Sequence, residues 1–151
     1  MSRPELVNKI IIASAFYQRS AVVPQFWEGF DKATLNIMPK ELQEGQLKAN
    51  GNDTTRLLNM FNEEVQRMKV FKDWSDEQMK SIKVPTLVIT SSKDVGSPEQ
   101  SVKMYRTIPN CELAIVPGGH GGYMGTLEGM DNGNFPKFNA TTLIEEFLDK
   151  E

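Results

Sequence analysis

The chain has 151 residues, of which 39% are hydrophobic, enough for a globular domain with a real core. Lys and Arg number 17 against 20 Asp and Glu, a formal net charge of −3, so there is no basic field for binding nucleic acid. No apolar run approaches membrane-spanning length, and Ile10-Ile11-Ile12-Ala13 is too short for a secretory leader, so no membrane contact is expected.

The single cysteine, Cys111, excludes an internal disulfide and fits a reducing, cytoplasmic setting. At the start of an apolar run it reads as a small buried hydrophobe, not a reactive thiol. The single histidine, His120, excludes a multi-histidine metal site within the chain, so no metal is expected.

In chain order, Ile10 to Ser14 is an isoleucine-rich run bounded by polar and small residues, the pattern of a buried parallel strand. Such a strand needs neighbours and crossovers, and it starts within the first residues, so the chain is expected to be incomplete. From Phe16 to Ser81 no strand-like run follows Val22-Val23. Pro39 can open a helix that Gly45 weakens. Leu57, Leu58, Phe61, Val65 and Met68 recur at helical spacing, predicting a helix from about Thr54 to Phe71, capped from the Asn50–Asp53 loop. Ser75-Asp76-Glu77-Gln78 has the form of a capping box for a short helix ending near Ser81.

Val84 to Thr90 is the second strand, ending in the polar turn Ser91-Ser92-Lys93-Asp94-Val95-Gly96. Ser97, Pro98 and Gln100 predict a capped helix with Val102, Tyr105 and Ile108 on one face. Glu112 to Val116 is the third strand, followed by Pro117-Gly118-Gly119-His120-Gly121-Gly122. Tyr123 to Lys137 is a long loop bearing Gly125, Gly129 and Gly133, a length that is often functional. Ala140, Leu143, Ile144, Phe147 and Leu148 give the last helix one apolar face. The order is α/β, with a short, mostly parallel sheet, flanking helices and a helical insert. It divides into a first core strand (residues 1–15), the insert (16–82) and a core with two polar loops (83–151).

If the second and third strands lie parallel, Asp94 and His120 emerge at the same sheet edge, where sites form in open α/β sheets. An Asp that orients a His, and a His that takes and returns a proton, make two thirds of a nucleophilic triad. Separately, Asp94 is also a plausible turn residue and His120 a structural loop residue. The third member would be a Ser, Cys or Asp on a sharp strand-to-helix turn of the form G-x-S-x-G, and no such motif is present. Ser97 is better explained as a helix cap, and Ser14 lacks flanking glycines and a following helix signal. Pro117 to Gly122 is not followed by the Gly-Lys-Ser/Thr of a phosphate loop.

These residues resemble the C-terminal portion of an α/β-hydrolase. Arg3 to Val7 with Ile10 to Ser14 resembles the end of the nucleophile helix and the sixth strand. Val84 to Asp94 resembles the seventh strand and its acid turn. Cys111 to His120, flanked by Gly119 and Gly121, resembles the eighth strand and its histidine loop, and Phe16 to Ser81 takes the place of the helical cap. The resemblance implies a partial α/β-hydrolase fold, Asp94 and His120 as catalytic acid and base, and no cofactor. It also implies a nucleophile that lies upstream of residue 1.

The expected function is therefore an esterase-like hydrolase of ester or related acyl substrates, in which this chain supplies the acid and base of a catalytic triad. The alternative is a non-catalytic fragment or interaction module. The first strand would have an open apolar edge, so self-association or a partner chain is expected there. Tyr123 and Met124, just after His120, and Trp27 in the cap are expected to line the pocket for a small-molecule substrate.

Overall fold

The computed structural model of the chain describes residues 3–130, 134 and 136–150. Gly133 of the expected long loop lies outside the described residues. The chain divides into two compact units, one running to Val22 and resuming at Asp73, the other spanning Val23–Lys72.

Among the described residues the first unit is built on three parallel strands, β1 (Ile10–Ala13), β2 (Thr86–Lys93) and β3 (Cys111–Gly119), in the order β1-β2-β3. Ile10 pairs with Thr86 and Ala13 with Ile89, while Thr86 pairs with Cys111 and Ser91 with Val116. A register shift between Ser91 and Lys93 then sets Lys93 opposite Gly119. Both β2 and β3 run beyond their apolar runs, because backbone pairing continues through Ser91-Ser92-Lys93 and Pro117-Gly118-Gly119. Pro117 has no N–H to offer a ladder, which suits β3 as an edge strand.

The two-residue period of the strands sorts their side chains onto two faces. Ile10, Ile12, Val88, Cys111 and Leu113 join Tyr17, Met79, Ile82, Met104 and Ile108. Ile11, Ala13, Ile89, Ala114 and Val116 join Tyr123, Ala140, Leu143 and Ile144. The first face is covered by α4 (Asp76–Lys80) and α5 (Pro98–Thr107), the second by α6 (Thr141–Asp149). Cover on both faces is what parallel sheets require. It buries the central strand from Thr86 to Ser91, with Ile89 at 0% exposure. Strand β1, by contrast, is only half-buried along its length, and among the described residues it pairs with β2 alone.

Local chemistry explains where the helices begin. At Ser75 both halves of a capping box form: its backbone N–H donates to Gln78 Oε1 at 2.8 Å, and Gln78 N–H donates to Ser75 Oγ at 3.2 Å. The similar box expected at Ser97 and Gln100 does not form. Ser97 N–H already donates to the Ala21 carbonyl at 2.8 Å, so the amide that Gln100 would have accepted from is taken. Pro98 opens α5 instead, through its preset backbone angle.

The second unit contains α1 (Pro24–Gly29), α2 (Lys40–Ala49) and α3 (Thr54–Lys69). Asp53 caps α3, accepting from the Thr55 and Arg56 amides, and Leu57, Phe61 and Val65 form its buried stripe. Gln43 Nε2 ties α2 back to the Leu35 and Met38 carbonyls at 3.2 and 2.8 Å. Trp27 stacks on Phe71 at 5.4 Å between centroids, and Phe26 meets Trp27 edge-on at 5.1 Å. Among the described residues no helix is long and apolar enough to cross a membrane.

Candidate active site at the strand ends

All three strands of the sheet end on the same side, and each delivers one polar residue there. β1 delivers Ser14, the turn after β2 delivers Asp94, and β3 delivers His120. The parallel topology brings Asp94 and His120 together: His120 Nδ1 lies 2.6 Å from Asp94 Oδ1.

The Asp94 side chain is 1% exposed, and its two oxygens are fully engaged. Oδ1 accepts from His120 Nδ1 and from the Val95 amide at 2.8 Å. Oδ2 accepts from Ser14 Oγ at 2.6 Å, Thr90 Oγ1 at 3.0 Å and the Ser91 amide at 3.1 Å. Burial alone would raise the carboxyl pKa. Hydrogen bonds from His120, Ser14 and the Ser91 amide outweigh it and hold the group far below the usual carboxylate range. Asp94 is therefore an anion at any working pH.

An ionised Asp94 accepts only, so Nδ1 of the imidazole carries the proton. The hydrogen bond to Asp94 raises the His120 pKa above its ordinary value, against an opposing effect of burial, with further support from the charges of Asp94 and Glu128. The side chain is 37% exposed, and among the described residues no group is hydrogen-bonded to Nε2. In the neutral form Nε2 presents a lone pair, the arrangement of a general base.

The histidine loop is held by close backbone packing. Gly121 has φ 63°, and a Cβ there would lie 2.6 Å from Thr126 Cγ2. Thr126 Oγ1 donates to the His120 carbonyl. Gly129 packs so tightly on Gly122 that a Cβ would overlap the Gly122 backbone, and it would also reach 3.1 Å from the His120 carbonyl oxygen. Where the long loop begins, the described residues form two short 3-10 turns, Gly122–Met124 and Leu127–Gly129, packed against His120.

The other residues singled out in the sequence lie as follows. Tyr123 is 2% exposed, and its hydroxyl lies 3.0 Å from the Ile89 carbonyl and 2.9 Å from Ser14 Oγ. It therefore presents almost no surface to a ligand and sits behind the Asp–His pair. Met124 is 51% exposed. Trp27 belongs to the second unit. Cys111 packs at the edge of the core, and burial pushes its thiol up to about 11, so it carries no thiolate at neutral pH. No group of three or more His, Cys, Asp or Glu that could hold a metal ion exists among the described residues.

Sequence reasoning weighed Ser14 only as a nucleophile and passed over its link to Asp94. Its position was the available signal: it is the first polar residue past the first strand, level with the end that carries the Asp and the His.

No family model matches the chain, and no curated protein matches it. Solved structures do. A hydrolase from Oleispira antarctica is 17% identical, with a TM-score of 0.57 over 99% of this chain and 60% of that one. An enol-lactonase from Burkholderia xenovorans LB400 is 13% identical, with a TM-score of 0.56 over 95% of this chain and 57% of that one. A thermophilic esterase from Thermogutta terrifontis is 16% identical, with a TM-score of 0.50 over 78% of this chain and 50% of that one. The chain spans between 50% and 60% of the length of these structures. It has a partial α/β-hydrolase fold, three parallel strands with their flanking helices.

Proposed function

We propose that this chain carries the acid and base of a hydrolase acting on esters or related acyl compounds. The observation behind the reading is the Asp94–His120 pair: a buried anion on Nδ1 and a ring open at Nε2. In this reading Asp94 fixes the tautomer and stabilises the imidazolium. Nε2 of His120 takes the proton of a nucleophile as it attacks the acyl carbon, and returns it to the departing alkoxide. The nucleophile is a Ser or Cys supplied from outside these 151 residues. In this reading Met124, 51% exposed beside the histidine loop, contributes apolar surface to the substrate. No cofactor enters the reaction. Esterase and lactonase activities in proteins of similar fold support the choice of substrate class, since a lactone is an internal ester.

The test is turnover of a p-nitrophenyl ester. The 151-residue chain alone should do no better than free imidazole. The same chain joined to the in-frame coding sequence that precedes it should turn over the ester, and His120→Ala should cut that rate by at least about 10²-fold. An extended protein that hydrolyses the ester equally well without His120 would sink the reading.

A second reading rests on β1, half-buried and paired on one side only among the described residues. Such an edge suits pairing with a second copy or a partner strand, and the chain would then be an interaction module with no catalysis of its own. Light scattering separates the two: a soluble monomer at micromolar concentration counts against the edge-pairing reading.

A further inference from the structure

We propose that Ser14, backed by Tyr123, is a positioning residue that locks the Asp94 carboxylate and the His120 loop into one fixed geometry. This rests on the reading of Asp94 and His120 as acid and base. Two independent observations support it.

The first is connectivity. Ser14 Oγ touches three groups on two separate segments: Asp94 Oδ2 at 2.6 Å in the acid turn, and the Gly121 amide at 3.3 Å and the Tyr123 hydroxyl at 2.9 Å in the histidine loop. Asp94 is ionised, so Ser14 donates its one proton to Oδ2. Its lone pairs then accept from Gly121 N–H and Tyr123 O–H. The phenol has one proton, which it shares between Ser14 Oγ and the Ile89 carbonyl at 3.0 Å. Burial pushes the phenol above its ordinary pKa and keeps it a donor. The acid turn and the histidine loop are thus joined through one hydroxyl, in addition to their direct contact.

The second is backbone geometry. Ser14 has φ 47°, in the left-handed region, and is one of two non-glycine residues with positive φ among the described residues. That conformation costs a side chain about 1 kcal/mol or more relative to glycine. If the turn alone mattered, glycine would serve better; the turn instead aims a hydroxyl at the carboxylate. The same bond geometry argues against Ser14 as nucleophile, since its proton is committed to Asp94 and it makes no bond to His120.

The chain has one histidine, so its imidazole can be followed by proton NMR without any substrate. Ser14→Ala removes the hydroxyl and keeps the Cβ. Ser14→Gly removes the hydroxyl and relieves the backbone. In both, the His120 titration midpoint should fall from above 6.5 toward 6.5, and the low-field Nδ1–H resonance of the imidazole–carboxylate bond should be lost, while the far-UV CD spectrum is unchanged. Should either variant fail to fold, Tyr123→Phe decides: it keeps the ring in the core, loses only the hydroxyl, and should lower the midpoint by a smaller amount. A midpoint that stays in place or rises in the folded variants overturns the proposal. A rise would mean that Ser14 only withdraws charge from Asp94. The outcome is independent of ester turnover, so loss of this proposal and loss of the hydrolase reading are separable.

Discussion

Replacing Gly129 by alanine should disturb the site without altering the side chain of either titrating residue. The new Cβ would overlap the Gly122 Cα and N and would lie 3.1 Å from the His120 carbonyl oxygen. Carbon contacts are comfortable at about 3.5–4.0 Å, so the two backbone segments must separate by more than about 1 Å. Neither obstacle is the end of a flexible side chain, so rotamer changes cannot absorb the overlap. Overpacking of this kind costs about 1–3 kcal/mol, and here the upper end applies. Separation also breaks the Thr126 hydroxyl bond to the His120 carbonyl, about 1 kcal/mol more. A loss of about 4 kcal/mol lowers Tm by roughly 8–16 °C in a chain of this size. Gly125→Ala is the matched control. Gly125 has φ 79° but nothing within 4 Å of its would-be Cβ, so only the left-handed backbone is penalised, by about 1–2 kcal/mol. Thermal melts followed by CD give the two Tm values, and proton NMR gives the His120 midpoint. The Gly129 variant should melt lower and shift the midpoint, while the Gly125 variant should leave the midpoint alone. Equal melting temperatures with an unmoved midpoint in both would refute the close-packed clamp.

Stability should depend on pH from both ends of the Asp94–His120 pair. The His120 pKa is raised on folding, so its contribution is complete below about 6.5 and is lost as pH rises through the folded value. The Asp94 pKa is lowered, so its contribution is present above about 4 and is lost as pH falls toward its folded value. The two limbs report one interaction, not two. Tm should therefore be highest between about pH 4 and 6.5, and the alkaline decline should vanish in His120→Ala; an unchanged alkaline limb in that variant rules the assignment out. On the other sheet face, Tyr17 is 4% exposed, and its hydroxyl donates to Asp76 Oδ1 at 2.9 Å while Lys103 lies over its ring. Tyr17→Phe keeps the packing and removes one hydrogen bond, so stability should fall by about 1 kcal/mol and Tm by roughly 2–4 °C. A variant that melts with the parent would show that the bond contributes nothing net.

The strands and helices were legible because their signals are local. An isoleucine run, a β-branched run after Pro85 and the apolar run from Leu113 to Val116 need no tertiary information to read as buried strands. The Ser75 box was readable because both partners lie within one turn. The Ser97 box has the same letters and fails, because the amide it needs is claimed by Ala21, far away in sequence. The polar ends of β2 and β3 were missed for a related reason: Ser91 to Lys93 extend only because Val116 to Gly119 pair with them. Asp94 and His120 could be placed together because parallel topology makes a positional statement about strand ends. Tyr123 could not be placed, since nearness to His120 in sequence does not say which way a ring turns at a glycine with positive φ.

Why three strands suffice to build this much of a site follows from register. Ala13 sits opposite Ile89, and Ser14 N–H donates to the Ile89 carbonyl at 2.9 Å, so Ser14 is held level with the start of the acid turn. Ser91 sits opposite Val116, and the shift after it sets Lys93 opposite Gly119, one residue before His120. A slip of one residue at either ladder would move a strand end by about 3.3 Å and turn its side chains to the other face. A slip of β1 on β2 would break the 2.6 Å contact of Ser14 with Asp94 Oδ2, and a slip of β3 on β2 the 2.6 Å contact of His120 with Oδ1. The same slip would also carry Ile12 and Val88, or Leu113, out of one apolar cluster and into the other. Core packing thus enforces the register, and the register enforces the geometry of the polar residues. The Asp–His pair inherits its precision from isoleucines, valines and leucines that never touch it.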